Sequence, residues 1–182
     1  IVAEMQQAGR GRRGRVWQSP FGANLYYSYF WRLDDGLQAA MGVSIAVGLA
    51  VYDTIKALYD IELELKWPND IYLNKQKLAG VLVELDGQPQ GPCQLVLGIG
   101  INLQMPQSFS QHIDQAWTDL SQHTQQLDKN ELVASLTYHL EHRLDQYRKS
   151  GLHTMHEQWN SLNAFAGECV ELNTGHRSWW GI

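Results

Sequence analysis

Cysteine is scarce. The 182-residue chain holds two, Cys93 and Cys169, too far apart for a C-x-x-C pair or a zinc-ligand spacing. A disulfide scaffold and a thiolate metal centre are therefore not expected; two unpaired thiols in a reducing compartment are. Surplus positive charge is missing as well. Fourteen Lys and Arg stand against 19 Asp and Glu, giving a formal net charge of −5 and a sequence pI of about 5.8. A general nucleic-acid-binding face needs a surplus of basic residues, so that class is disfavoured. The most apolar stretch, Ala39 to Tyr52, falls short of the roughly 20 residues a spanning helix requires. It reads as a buried helix, and no membrane is expected. No G-x-x-x-x-G-K-[ST] is present, so any nucleotide must be held without a Walker loop. No G-x-S-x-G nucleophile elbow occurs, and no repeat or low-complexity tract is visible. We read no secretory leader, and the expected compartment is the cytoplasm.

What is present suits a globular domain with room for the beginning of a second: 44% hydrophobic residues, with 7 Trp and 8 Tyr. Ile1 to Gln6 reads as a short strand entering a Gly- and Arg-rich loop. Leu25 to Leu33 is aromatic and β-prone. Leu37 to Leu58 is helical and apolar nearly all round, which implies burial on several sides. Ile61, Leu63, Leu65 and Trp67 alternate with Glu62, Glu64 and Lys66, the pattern of a half-buried strand ending at Pro68. Ile71 to Leu73 and Leu78 to Leu85 look paired, and a Gly/Pro turn from Asp86 to Pro92 leads to a strand over Cys93 to Leu103. Short turns between consecutive strands predict an antiparallel meander. Met105 to Asp128 is expected to be a long loop with a short helix. Leu132, Leu136, Leu140 and Leu144 recur every four residues on one helix face. A second short helix is expected within Gly151 to Asn163, and a hairpin around Asn173-Thr174-Gly175 over Glu168 to Ile182. The class is α+β. The chain opens at Ile1 in a strand-like run and stops at Trp179-Trp180-Gly181-Ile182, so a fragment cut at both ends is expected.

Four motifs carry candidate chemistry. Gly9-Arg10-Gly11-Arg12-Arg13-Gly14-Arg15 satisfies G-x-G-x-x-G, but Val16-Trp17-Gln18-Ser19-Pro20 follows where a dinucleotide fingerprint must open a helix. A loop that holds an anion fits better: glycine lets backbone approach a ligand, and arginine forks pair with phosphate or carboxylate. A solvated basic loop or an RNA-binding arm has the same composition. Lys66-Trp67-Pro68-Asn69-Asp70 places an amide and a carboxylate at a strand end, as an ordinary turn also would. Lys77, in Lys77-Leu78-Ala79-Gly80, follows Asp70 across the expected hairpin. Together the two could position a carboxylate substrate and a transferring phosphoryl group, or Lys77 is a plain surface lysine. Gly98-Ile99-Gly100-Ile101-Asn102 puts glycines inside a strand, which marks either a bulge or a close approach by a ligand. His139/His142 and His153/His156 have helical spacing without further metal-ligand pattern and read as solvated or half-buried.

Taken in order, Gln6-Gln7-Ala8-Gly9-Arg10-Gly11-Arg12-Arg13-Gly14-Arg15-Val16-Trp17, Lys66-Trp67-Pro68-Asn69-Asp70, Lys77-Leu78-Ala79-Gly80-Val81-Leu82-Val83-Glu84 and Gly98-Ile99-Gly100-Ile101-Asn102 resemble the motif set of biotin–protein ligases. The similarity is greatest to the bacterial enzymes that double as biotin operon repressors. It covers roughly Ile1 to Ala166. It implies a mixed, largely antiparallel sheet flanked by helices, of the class II synthetase-like ligase core, over 1–166. It also implies the start of a small SH3-like β barrel over 167–182. Gln6, Arg10, Gly11, Arg12, Lys77, Gly80 and Gly98 would line the biotin and adenylate site. Arg15, Asn102 and Trp117 would lie on the ATP side. Lys77, Asp70 and Arg12 would serve catalysis, with no resident metal. Implied substrates are biotin and ATP, with Mg2+. The implied partner is a biotin carboxyl carrier protein, a subunit of acetyl-CoA carboxylase, and a homodimer is a further possibility. DNA would be reached only through a winged-helix domain outside this sequence, and the family's Ser-Thr segment is expected before Ile1. Gln18 departs from the aromatic that similar enzymes often carry there. The competing readings are a lipoate–protein ligase or octanoyltransferase, whose Arg-Arg-x-Ser-Gly-Gly-Gly loop is absent, and an RNA-binding module.

Overall fold

One side of the second strand is covered along most of its length, the other mainly at its start. In β2 (Asn24–Leu33) the side chains of Leu25, Tyr27, Trp31 and Leu33 are buried, while Phe30 and Arg32 on the opposite side are exposed. The computed structural model, which describes residues 1–87, 90–174 and 177–182, pairs β2 antiparallel with β6 (Cys93–Asn102), from Leu25 opposite Ile101 to Leu33 opposite Cys93. β5 (Gln76–Gly87) lies on the other side of β6, followed by β4 (Asp70–Leu73) and β3 (Glu64–Lys66). A two-residue β1 (Val2–Ala3) edges β2. The order is β1-β2-β6-β5-β4-β3, and every strand pair is antiparallel. The mixed, largely antiparallel sheet expected from the resemblance is thus corrected to a wholly antiparallel one: β3 to β6 are joined in sequence by short turns, which pair neighbours antiparallel, and β2 adds to β6 in the same sense.

Helices cover one face. α1 (Val43–Tyr59) packs on β4 and β5, α2 (Lys129–Ser150) packs on β2, and the two helices pack on each other. Leu132, Leu136, Leu140 and Leu144 are buried as their spacing predicts. Asp128 caps α2 by accepting hydrogen bonds from the backbone of Asn130 and Glu131. A part-buried ion pair, Arg143 Nε to Asp53 Oδ2 at 2.6 Å, ties the two helices together. Tyr27 and Thr137 hydroxyls meet at 3.0 Å between sheet and α2.

Three expectations change. The helix expected over Leu37–Leu58 is split: Leu37–Ala40 forms a 3-10 turn, and α1 starts only at Val43. Gly42 between them has φ +93°, and a Cβ there would lie 2.7 Å from Leu152 Cδ1, so only glycine makes this corner. By length and composition Leu37–Tyr59 is apolar enough to cross a membrane, with mean hydropathy 1.4. The break at Gly42 leaves a 17-residue α-helix packed into the core. The strand expected over residues 61–67 shrinks to Glu64–Lys66. Leu63 is buried without pairing, and Trp67, which the alternation also turned inward, is 55% exposed. The loop after β6 carries two 3-10 turns, Gln107–His112 and Leu120–Gln122, in place of one short helix. α3 is confined to His156–Ser161. β7 (Val170–Asn173) and β8 (Ser178–Gly181) form a separate two-stranded sheet. Part of its turn, Gly175 with His176, lies outside the described residues, as do Gln88 and Pro89 of the turn expected over Asp86 to Pro92.

Candidate active site

The sheet face away from the helices is built for close approach. Tyr26, Gly100 and Gly80 lie in one row across β2, β6 and β5, with Ser28, Gly98 and Leu82 in the next. The Trp17 indole lies on the glycine row. A Cβ on Gly100 would stand 2.6 Å from Trp17 Cε2 and Cζ2, and one on Gly80 would stand 3.1 Å from Cζ3. The glycines therefore make room for a ring. Trp17 Nε1 is buried with no hydrogen-bond partner among the described residues.

Trp17 is delivered by the Gly-Arg loop, which folds into a tight hairpin. Trp17 N donates to Gly9 O at 2.9 Å and Gly11 N to Arg15 O at 2.7 Å, and Arg10 bridges Val16. The tip, Arg13 and Gly14, has positive φ (56° and 74°). A 3-10 turn at Arg12–Gly14 stands where a dinucleotide fingerprint would open a helix. Three arginines reach two strands and a turn: Arg10 Nη2 to Glu84 Oε2 of β5 at 2.9 Å, Arg12 Nη1 to Asn69 Oδ1 in the turn before β4 at 3.1 Å, and Arg13 Nη2 to Asn173 O of β7 at 3.2 Å. These contacts are exposed and individually weak, so an incoming anion can displace them.

Asp70 opens β4 two residues after Pro68, whose bond to Trp67 is cis, and pairs with Gly80. Lys77 Nζ sits 2.7 Å from Asp70 Oδ1, with the two side chains 12% and 16% exposed, and 5.5 Å from the Trp17 ring centroid. Asn69 holds this corner, donating from Nδ2 to Val81 O at 2.8 Å and accepting at its carbonyl from Val81 N at 2.9 Å. The far wall is the segment around Trp117. Lys77 N donates to Ala116 O and Thr118 N to Lys77 O, both at 3.0 Å, while Asn102 Nδ2 donates to Thr118 O at 3.0 Å. Tyr26 donates to Pro20 O at 2.8 Å, and burial pushes its phenol up to about 12.

These walls enclose a cleft of about 930 Å3, within the usual size range of small-molecule sites. Gln6, Arg10, Gly11, Arg12, Lys77, Gly80 and Gly98, the residues expected around biotin and adenylate, all line it. So do Asp70 and the ATP-side residues Arg15, Asn102 and Trp117. Chemically the cleft offers a glycine and indole floor for an apolar ring or chain, a guanidinium-rich rim for phosphates, and a lysine–carboxylate pair between them.

A sequence model of the biotin/lipoate A/B protein ligase family matches residues 1–102. The chain belongs to this family. The bifunctional ligase/repressor BirA of Salmonella typhimurium is 44% identical over 181 residues, spanning 100% of this chain and 57% of that protein. The Escherichia coli counterpart is 42% identical over 100% of this chain and 56% of that protein. The structure of the biotin protein ligase from Aquifex aeolicus in complex with biotin and ATP superposes with a TM-score of 0.80 at 28% identity, covering 99% of this chain and 74% of that one. The chain thus spans a little over half the length of the curated relatives it matches. Within this ligase-family chain, sequence reasoning left out Trp17 as the floor of the site, Gly100 beneath it, and Asn69 and Glu84 as the loop's anchors. Trp17 stood in the quoted motif, but only the register between β5 and β6 brings Gly80 and Gly100 under it.

Proposed function

We propose that this chain is the catalytic core of a biotin–protein ligase, which activates biotin with ATP and transfers it to a lysine of a carrier protein. The carrying observation is the Lys77–Asp70 pair, held at 2.7 Å beside the indole floor and under the arginine loop. In the first step a biotin carboxylate oxygen attacks the α-phosphorus of Mg-ATP. The bond to the β-phosphate oxygen breaks, giving biotinyl-5′-AMP and pyrophosphate. Lys77, Arg12 and Arg10 offset charge developing on the phosphoryl oxygens. Mg2+ enters as part of the nucleotide substrate. Asp70 keeps Lys77 aimed across Gly80. In the second step a carrier lysine amine attacks the acyl carbon of the mixed anhydride, and AMP leaves. The arginine hairpin covers the intermediate and shields it from water.

The same reading makes 1–166 the catalytic domain and gives β7–β8 the role of opening a small SH3-like barrel over 167–182. It places the protein in the cytoplasm, with a biotin carboxyl carrier protein as its partner. A homodimer, and DNA contact through residues outside this sequence, follow from the likeness to ligase/repressors. Lipoate or octanoate transfer is the alternative within the fold. The deciding experiment mixes full-length protein, biotin, Mg-ATP and a biotin carboxyl carrier domain, then reads the carrier's mass. One biotin added at one lysine supports the proposal. No biotin added, with lipoate or octanoate added in parallel reactions, would replace it with the acyl-ligase reading.

A further inference from the structure

Asp119 lies behind the cleft wall, 3% exposed. Its Oδ2 accepts from Met105 N at 3.0 Å and its Oδ1 from the Ser121 hydroxyl at 2.7 Å. One carboxylate therefore ties the chain leaving β6 to the segment that carries Trp117. That segment meets β5 through a single parallel bridge, Lys77 with Trp117. It is held further by Asn102 Nδ2 on Thr118 O at 3.0 Å, by Thr118 Oγ1 against His123 Nε2 at 2.9 Å, by Ser121 N on Leu103 O at 2.8 Å and by Leu120, buried in the core. An isolated bridge has no neighbouring rungs to hold its register, so what fixes the segment's end fixes Trp117 beside Lys77.

We propose that Asp119 is a positioning residue for the nucleotide side of the cleft, a role that rests on the ligase reading above. Both acceptors matter. Asparagine can replace the carboxylate: its carbonyl accepts from Met105 N while its amide donates to Ser121 Oγ, since a hydroxyl accepts as well as donates. Alanine leaves the buried Met105 N–H unpaired and frees the segment.

The test measures biotin-dependent pyrophosphate release, biotin affinity and amide hydrogen exchange in the full-length protein. In Asp119→Ala, KM for ATP should rise roughly tenfold or more, the scale expected when a buried donor loses its partner. Biotin Kd should stay within about threefold, because the Gly80 and Gly100 floor is untouched. The amides of Lys77 and Thr118 should exchange faster. Asp119→Asn should resemble wild type in all three readouts. If Asp119→Ala does not fold, Ser121→Ala carries the same split between ATP and biotin at smaller amplitude. The proposal is overturned if ATP and biotin parameters fall together, if Asp119→Asn is as impaired as Asp119→Ala, or if the folded variants keep the wild-type KM for ATP. Wild-type protein that releases no pyrophosphate with biotin would overturn the ligase reading instead, and protection at Lys77 and Thr118 would then decide the positioning role on its own.

Discussion

Gly100→Ala isolates the contact on which the cleft floor depends. The backbone there tolerates alanine, since Gly100 is not among the positive-φ residues, so any cost comes from collision. The new Cβ would stand 2.6 Å from Trp17 Cε2 and Cζ2 and 2.8 Å from Nε1. Those atoms belong to a ring with open cleft above it, so the indole tilts upward and the sheet stays. Overpacking of this kind costs about 1–3 kcal/mol, partly offset by the roughly 0.5–1 kcal/mol that alanine gains over glycine within a strand. Urea melts should therefore show a net loss of about 0.5–2 kcal/mol, or a Tm lower by a few degrees. Biotin affinity should fall more than stability does, because the displaced ring enters the cleft. Gly98→Ala is the control: its Cβ meets Leu82 O at 3.4 Å and Leu82 Cβ at 3.7 Å, ordinary contacts, so its stability should match or exceed wild type. Trp17→Ala supplies the second leg of a double-mutant cycle. In that background the collision disappears and only alanine's gain over glycine remains, giving a coupling of about 1–3 kcal/mol. Wild-type melting of Gly100→Ala, or a penalty that persists without Trp17, would show that the ring does not rest on Gly100.

Lys77→Ala removes the ammonium 2.7 Å from Asp70 and should slow biotin-dependent pyrophosphate release about 100-fold or more; near-normal release would take Lys77 out of the reaction. Arg12→Gly cuts the tie from the loop to Asn69 Oδ1 at 3.1 Å and should raise the release of activated biotin into solution, scored by biotin appearing on bystander proteins, and unchanged leakage would count against the loop as a cover. Tyr26 gives a pH signature. Its folded-state pKa is raised from 10.0 to about 12, so the folded protein keeps the phenol proton where the unfolded chain has lost it. That contribution is complete below the unfolded value and is lost as pH rises between about 10 and about 12. Tyr26→Phe should lessen the alkaline decline in urea stability, and identical slopes for the two proteins would refute the assignment.

The elements that could be read from residues alone are those whose signal is local. β2 is aromatic and β-prone, β6 runs from the turn that precedes it, and α2 repeats leucine every four residues, so both strands and the helix fall close to where the residues place them. Errors arose where tertiary contact overrides pattern. Nothing in Ala39-Ala40-Met41-Gly42-Val43 says that Leu152, more than a hundred residues away in sequence, stands against Gly42 and turns the chain. Along Ile61 to Trp67 the period holds only at Leu63 and Leu65, which are buried: Leu63 lies outside the paired strand, and Trp67, after the strand ends, is 55% exposed.

The site was legible to the extent that chemistry is carried by residue type. Lysine, aspartate and clustered arginines announce anion chemistry wherever they stand, and Lys77, Asp70 and Arg12 do meet in one cleft. The residues that shape the cleft carry no such mark. Gly100 matters because a strand register sets it beneath an indole, and Asp119 because its oxygens lie beside Met105 N and Ser121 Oγ. Both facts belong to pairs of residues, so a single chain read in order cannot display them. Substitutions at charged rim residues should accordingly change the chemical step, whereas those at Gly100 or Asp119 should change which ligands fit while leaving the charged groups in place. A mutational survey that scored only turnover would merge these classes; one that separates ligand affinity from turnover distinguishes them.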